Sequence, residues 1–301
     1  MLPCRGGAVA QPSLVRAELC HVGGHDVSGP GPGPGPGPRP RPGPGPRPGP
    51  GPRVDGPLLF ARYAYPPNEL GYCGADDHQA LLEQTSAGVV DGGLRQSLRS
   101  FEGAWPYLEL IAAANGLDDP LDARVVEAYW LGSTMLERVG PGMLGGSMDE
   151  RFRRRAGRSW ARLAEAIPNG ALPHHSFHVL GVYPFVGLLR RGVVTEPLHV
   201  LDRCRIRWGK VVAVTGDHAV VQSQPLEWDG HRLVLGAVRD EVAVAGQGTM
   251  HLTGALAAGD WCSLHWDWVC DRLEPAQVRA LRHYTRTQLA AVNDAPATVL
   301  A

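Results

Sequence analysis

The chain has 301 residues, 44% of them hydrophobic, and its 29 basic and 30 acidic side chains leave a net charge of −1. Positive charge is concentrated at the start. Residues 1–53 carry six arginines against Glu18 and Asp26, and the remainder is mildly acidic. A body without a basic excess argues against a general nucleic-acid binder. No apolar run is long enough for a membrane span or a signal peptide. Six cysteines without CxxC spacing fit a reducing cytoplasm better than a disulfide scaffold.

From Gly29 to Arg53 glycine or arginine alternates with proline. The period of two excludes collagen, which needs glycine at every third position. Proline at alternate positions removes donors and fixes φ, so the expectation for residues 1–54 is a disordered leader. Two readings compete for it: a tethering arm, or translated upstream sequence with the true start near Val54. The second is preferred, because Met1 to Ser28 has no periodic pattern either.

Residues 55–197 read as a helical domain. Asp76 with Gln79 forms a capping-box pattern before Ala80, Leu81 and Leu82. Trp105-Pro106 opens a second helix that Asn115-Gly116 ends. Asp119-Pro120 starts a third, apolar at Leu121, Val125, Ala128, Met135 and Val139 and stopped by Gly140-Pro141. Ser147 with Glu150 caps a fourth, whose stripe is Phe152, Ala156, Trp160, Leu163 and Ile167. Its arginines, from Arg151 to Arg162, read as a solvated face. Gly92-Gly93 and Gly145-Gly146 read as loops.

After Pro197 the period changes. Strands are expected from Ile206 to Val214, from Ala219 to Val221 and from Val238 to Val244. A hairpin turn is expected at Trp228-Asp229-Gly230-His231, and an aromatic strand from Trp261 to Val269. A helix from Pro275 to about Val292 closes the chain. Short strands with one terminal helix suggest a small β-barrel over 198–301, and an α+β protein overall.

The strand segment opens with Cys204-Arg-Ile-Arg-Trp-Gly209-Lys210-Val211. It ends with Gly259-Asp260-Trp261-Cys-Ser-Leu-His265, followed by a helix. This resembles the HypC/HupF family of nickel–iron hydrogenase maturation chaperones, which are OB-type barrels. Gly236 and Arg239 match the family's middle strand. The chain departs from the family pattern at Trp208, where proline is usual, and in holding Cys204 internally. The resemblance implies a metallochaperone that carries an Fe(CN)2CO unit beside a HypD-type protein to the hydrogenase large-subunit precursor. It implies Cys204 as thiolate ligand and His265 as imidazole ligand or hydrogen-bond donor, with Arg205, Gly209, Lys210, Gly259, Asp260 and Trp261 in support. A soft thiolate suits such iron. Arg203, Arg205 and Arg207 would lower the cysteine pKa and stabilise the cyanide ligands. The stretches Phe60 to Gly74 and Phe101 to Leu110 resemble an uncharacterised actinobacterial-type family, associated with hydrogenase gene neighbourhoods, that brings no catalytic residues.

Pro173-His174-His175-Ser-Phe-His178 is the densest histidine group. On a helix His174 and His178 would share a face at metal-ligand spacing; a loop that caps or fills a polar gap is the bland alternative. Cys73, Asp76, Asp77 and His78 also cluster. Asp76 is expected as a cap, with Tyr63, Tyr65 and Tyr72 conceivable as a pocket wall. Cys262 and Cys270 read as barrel core. No GxSxG, P-loop or Rossmann fingerprint occurs. The leading expectation is therefore a cytoplasmic accessory protein that catalyses nothing by itself. The rivals are a metal-dependent enzyme built on His174, His175 and His178, and an interaction module without metal.

Overall fold

The structure, a computed structural model, describes residues 54–156, 170–295 and 298. The leader expected at 1–54 lies outside these residues up to Arg53. So do Trp160, Leu163, Ile167 and the arginines beyond Arg155 of the fourth expected helix.

Helix α1, Gly56–Glu69, opens with Pro57 in its first turn, where a missing N–H costs nothing. It buries Leu59, Phe60, Tyr63 and Tyr65 and packs on both helices and strands. Helix α2, His78–Ala87, is capped by Asp77, whose carboxylate accepts from the Ala80 N–H at 2.9 Å. The cap is thus one residue later than the expected Asp76, and the Gln79 amide reaches Glu83 instead.

Helix α3, Gly92–Arg99, replaces the expected loop at Gly92-Gly93. Asp91 caps the Leu94 N–H at 2.7 Å, and buried Leu94 and Leu98, one turn apart, anchor the helix. Helix α4, Trp105–Ala114, runs as expected and ends at Asn115.

The expected third helix is broken. Helix α5, Ala123–Trp130, ends before Gly132, which takes φ +92°. A side chain at Gly132 would lie 2.1 Å from the Tyr284 ring. The chain resumes as a 3-10 turn over Thr134–Arg138. Pro141, expected as a stop, instead begins α6, Pro141–Ala156. Ser147, Gly145 and Gly146 lie inside that helix, which corrects both the cap and the loop expected there.

Helix α7, His175–Phe177, leads into a π-helical turn, His178–Val182. Helices α8, Phe185–Arg190, and α9, Thr195–Cys204, follow. The strands are β1, Arg207–Thr215; β2, His218–Ser223; β3, Leu226–Trp228; β4, Leu233–Leu235; β5, Arg239–Val244; β6, Trp261–His265; and β7, Trp268–Leu273. Helix α10, Pro275–Asp294, closes them.

Strands β3 and β4 form a separate hairpin. The other five make a mixed sheet in the order β1-β2-β5-β7-β6, with β6 also paired to β1. All its pairings are antiparallel except β5 with β7, joined at Val244 and Trp268. At Gly209 in β1 an added Cβ would meet Val221 at 2.2 Å and the Gln222 carbonyl at 2.9 Å, so only glycine fits the ladder.

The expected aromatic strand from Trp261 to Val269 is two strands. The chain reverses at Trp266-Asp267, where Trp266 takes φ +52°. Neither Gly nor Pro marks this turn. Tertiary contacts hold it: Trp266 stacks on Tyr72 at 4.6 Å and donates its backbone N–H to the Arg203 carbonyl at 2.7 Å.

One apolar core joins α1 to α6 with Ile206, Trp208, Trp268, Cys270, Leu273 and α10. The segments expected as a helical domain and a strand domain share it, and the described residues belong to one compact unit. Among the described residues no helix is long and apolar enough to cross a membrane.

Candidate metal centre

Helix α1 contains Pro66 and Pro67. Proline has no N–H, so Pro67 leaves the carbonyl of Tyr63, four residues earlier, without its helical donor. That carbonyl accepts a hydrogen bond from His265 Nδ1 at 2.6 Å. A carbonyl only accepts, so Nδ1 carries the proton and Nε2 of the neutral ring keeps its lone pair. His265 is fully buried, and Nε2 makes no hydrogen bond. The Cys204 carbonyl, which accepts from His175 Nε2 at 2.8 Å, lies near the His265 ring. A buried imidazole held by a carbonyl on one nitrogen, with the other bare, is the usual arrangement of a metal ligand.

His175, Cys204 and His265 converge there, each offering a ligand atom within 4.8 Å of the others. His175 starts α7 and Cys204 ends α9. The two are tied by a 2.8 Å bond from His175 Nε2 to the Cys204 carbonyl, while His175 Nδ1 accepts from the Tyr129 hydroxyl at 3.2 Å. Both nitrogens of His175 are engaged, so it joins a metal only by giving up one of these bonds. Trp130 roofs the group. Its ring lies 4.6 Å from His175 and 5.8 Å from His265, and stacks on Tyr63 at 5.4 Å.

Burial keeps these imidazoles neutral. It lowers His175 to about 4 and His265 well below the usual histidine value, where a charge on His175 adds to the effect. The Cys204 thiol, half-buried, is pushed far up by burial and by charge on Cys73. A metal must therefore displace its proton. The expectation that nearby arginines lower this pKa is corrected, because each is committed to carboxylates. Arg203 pairs with Glu241 at 2.7 Å and Asp267 at 3.2 Å, Arg207 with Glu241 at 3.0 Å, and buried Arg205 with Asp202 at 3.1 Å.

The other two histidines of the 173–178 group go elsewhere. His174 precedes α7 in extended backbone, so it and His178 do not share a helical face. Its Nδ1 caps the Ser176 N–H at 3.1 Å, and its ring stacks on Tyr284. His178 sits between the hydroxyls of Tyr107 at 3.4 Å and Tyr183 at 3.2 Å. Burial brings His174 to about 3 and His178 well below its usual value.

None of the supporting residues belongs to the three-residue cluster. Gly259 turns the chain at φ +95°. Asp260 accepts from the Ala257 N–H at 3.0 Å, and Trp261 carries the Arg282 guanidinium 4.8 Å from its ring centre. Lys210 is exposed on β1. Cys262 and Cys270 are fully buried among apolar side chains. Tyr129 and Trp130 escaped the sequence reading as site residues. The Pro66-Pro67 pair was the available signal for a freed carbonyl in α1.

That pair yields a test. Pro67→Ala restores an N–H that competes for the Tyr63 carbonyl. Nitrogen NMR of the His265 ring should then show loss of the single Nδ1–H tautomer, and metal affinity should fall about 10–100-fold. An unchanged tautomer would remove Pro67 from the site.

Residues 52–299 match a family whose description reads Family of unknown function (DUF6390), and the chain belongs to that family. No curated protein and no solved structure matches it.

Proposed function

We propose that this protein is a cytoplasmic metal-handling accessory protein of nickel–iron hydrogenase maturation. It would hold an Fe(CN)2CO-type unit as cargo through Cys204 and His265, with His175 as a third ligand. The observation that carries the reading is the convergence of these three side chains around the bare Nε2 of His265. One thiol and two neutral imidazoles form a donor set suited to late first-row metals and poorly suited to magnesium or calcium. The sheet order adds support, since a five-stranded ladder that returns to its first strand is the plan of an OB-type barrel.

In this reading the chain's residues bind and orient. His265 presents its lone pair because Tyr63 fixes its tautomer, Cys204 supplies the anionic sulfur after losing its proton, and Trp130 with Tyr63 excludes water. The partners are a HypD-type protein and the hydrogenase large-subunit precursor.

The test is anaerobic purification of the full chain after co-expression with hydrogenase maturation proteins, followed by infrared spectroscopy. Carbon monoxide and cyanide stretching bands are expected in the wild type and absent from folded Cys204→Ser. Folded wild-type protein without such bands would overturn the hydrogenase reading. A cobalt(II) titration on the same preparation tests the donor set separately. The thiolate-to-cobalt absorption should appear, and Cys204→Ser should weaken binding by at least about 100-fold, more than loss of an outer-shell partner costs.

A further inference from the structure

One buried guanidinium joins the two segments that carry Cys204 and His265. Cys204 ends α9 and His265 ends β6, and Arg207, at the start of β1, reaches the backbone beside both. Its Nη1 donates to the carbonyls of Asp202 at 3.4 Å and Arg203 at 3.3 Å, just before Cys204. Its Nη2 donates to the carbonyl of Trp266, just after His265, at 2.8 Å. Glu241 on β5 takes the remaining donors, accepting from Nη2 at 3.0 Å and from Nε at 3.3 Å. All five N–H donors of the fork are thereby used, on a side chain only 1% exposed. Glu241 is held in turn by Arg203 at 2.7 Å and by the Ser223 hydroxyl. The Trp266 N–H adds a second tie to the end of α9, donating to the Arg203 carbonyl at 2.7 Å. Trp266 is the one non-glycine among the described residues at positive φ, a conformation that persists only where its surroundings fix it.

We propose that Arg207 is the positioning residue of the metal centre, its guanidinium setting the separation of Cys204 from His265 and so the geometry in which a metal is held. The inference rests on the metal-binding reading of His175, Cys204 and His265 and adds what keeps those donors in place before an ion arrives. Tyr63 decides which nitrogen of His265 is bare, but it does not touch Cys204. Arg207 holds the backbone on the far side of each ligand, so neither can drift without breaking a buried hydrogen bond. Donors fixed in advance cost the metal no rearrangement, and this is why loosening them weakens binding. A lysine cannot replace the fork, because its compact ammonium does not span two backbones and a carboxylate at once.

The experiment uses the reduced full-length chain and cobalt(II) alone. Equilibrium titration gives the affinity, the ligand-field absorption bands report the coordination geometry, and denaturant titration of the metal-free protein reports the fold. Arg207→Lys keeps the charge facing Glu241 and loses the fork. Its affinity should fall about 10–100-fold, with the bands shifted and weakened as the donors spread and water joins the metal. A role confined to neutralising Glu241 predicts instead that lysine preserves both. Glu241→Gln leaves Arg207 its three backbone carbonyls, and should show the same spectral shift with a smaller loss of affinity. Wild-type bands and affinity in folded Arg207→Lys, or in Glu241→Gln where the lysine variant does not fold, would overturn the proposal. So would a loss of affinity with unaltered bands, since that is a loss of fold stability and not of ligand placement. A wild-type chain that takes up no cobalt would overturn the underlying metal reading, and this proposal with it.

Discussion

Acidifying the metal-free protein from about pH 7 to about pH 5.5 is expected to cost on the order of 4 kcal/mol of stability, a large share of what a typical domain has. Among the described residues four imidazoles are buried, those of His174, His175, His178 and His265, and each has its folded pKa depressed below the unfolded value. In that window the unfolded chain takes up protons that the folded chain refuses. Stability contributed by these groups is complete above the unfolded value and is lost as pH falls toward the folded ones. Each group costs on the order of 1 kcal/mol over the interval.

Asp271 opposes this. Burial raises it to about 6 against the pull of Arg62, so protonation of the folded state returns just under about 1 kcal/mol. The groups facing the histidines do not reverse the sign. Arg151 and Arg207 are cationic, and Tyr107, Tyr129 and Tyr183 are held protonated by burial. Denaturant titration at stepped pH measures the slope, and a flat profile between these limits would contradict it. His178→Gln should remove about a quarter of the loss.

Trp130→Ala is expected to cost about 3–5 kcal/mol, the range for emptying a buried aromatic site. The ring is 3% exposed and contacts Phe60, Tyr63, Tyr129, His175 and His265. Its Nε1 is buried without an acceptor, so the indole gains nothing there from its polar edge. Trp130→Phe should therefore cost far less than the alanine variant. Water entering the space left in Trp130→Ala would also raise the His175 and His265 pKa values toward normal and flatten the acid slope. Comparing both variants by denaturation at two pH values checks this. Equal losses for alanine and phenylalanine would show that the ring's packing is not what matters.

Where local physics was sufficient, the elements of the fold were legible. Helix α4 between Trp105-Pro106 and Asn115, strands β1 and β2 around Gly216-Asp217, and helix α10 from Pro275 all follow from caps, turns and periodicity. The reading failed where a distant side chain made the decision. At Gly132 the helix gives way to φ +92° with the Tyr284 ring against it, where no side chain fits, and Trp266 turns a strand back where Tyr72 and Arg203 hold it. At α6 local chemistry had two meanings, since Gly140-Pro141 ends one helix as readily as it starts the next.

The site divides in the same way. Its inventory was present in the chain: a cysteine ahead of Gly209-Lys210-Val211, a histidine closing Gly259-Asp260-Trp261, and a separate histidine group. The sequence by itself determined which donors exist, and which short segments would be helix or strand. Only the tertiary structure decided that His175, and neither His174 nor His178, would stand beside Cys204 and His265. Only it decided that a carbonyl 202 positions away would hold the proton of His265 on Nδ1. The physical reason is that periodicity and capping act over a few residues, whereas ligand convergence is set by how α1, α7, α9 and β6 pack around one core.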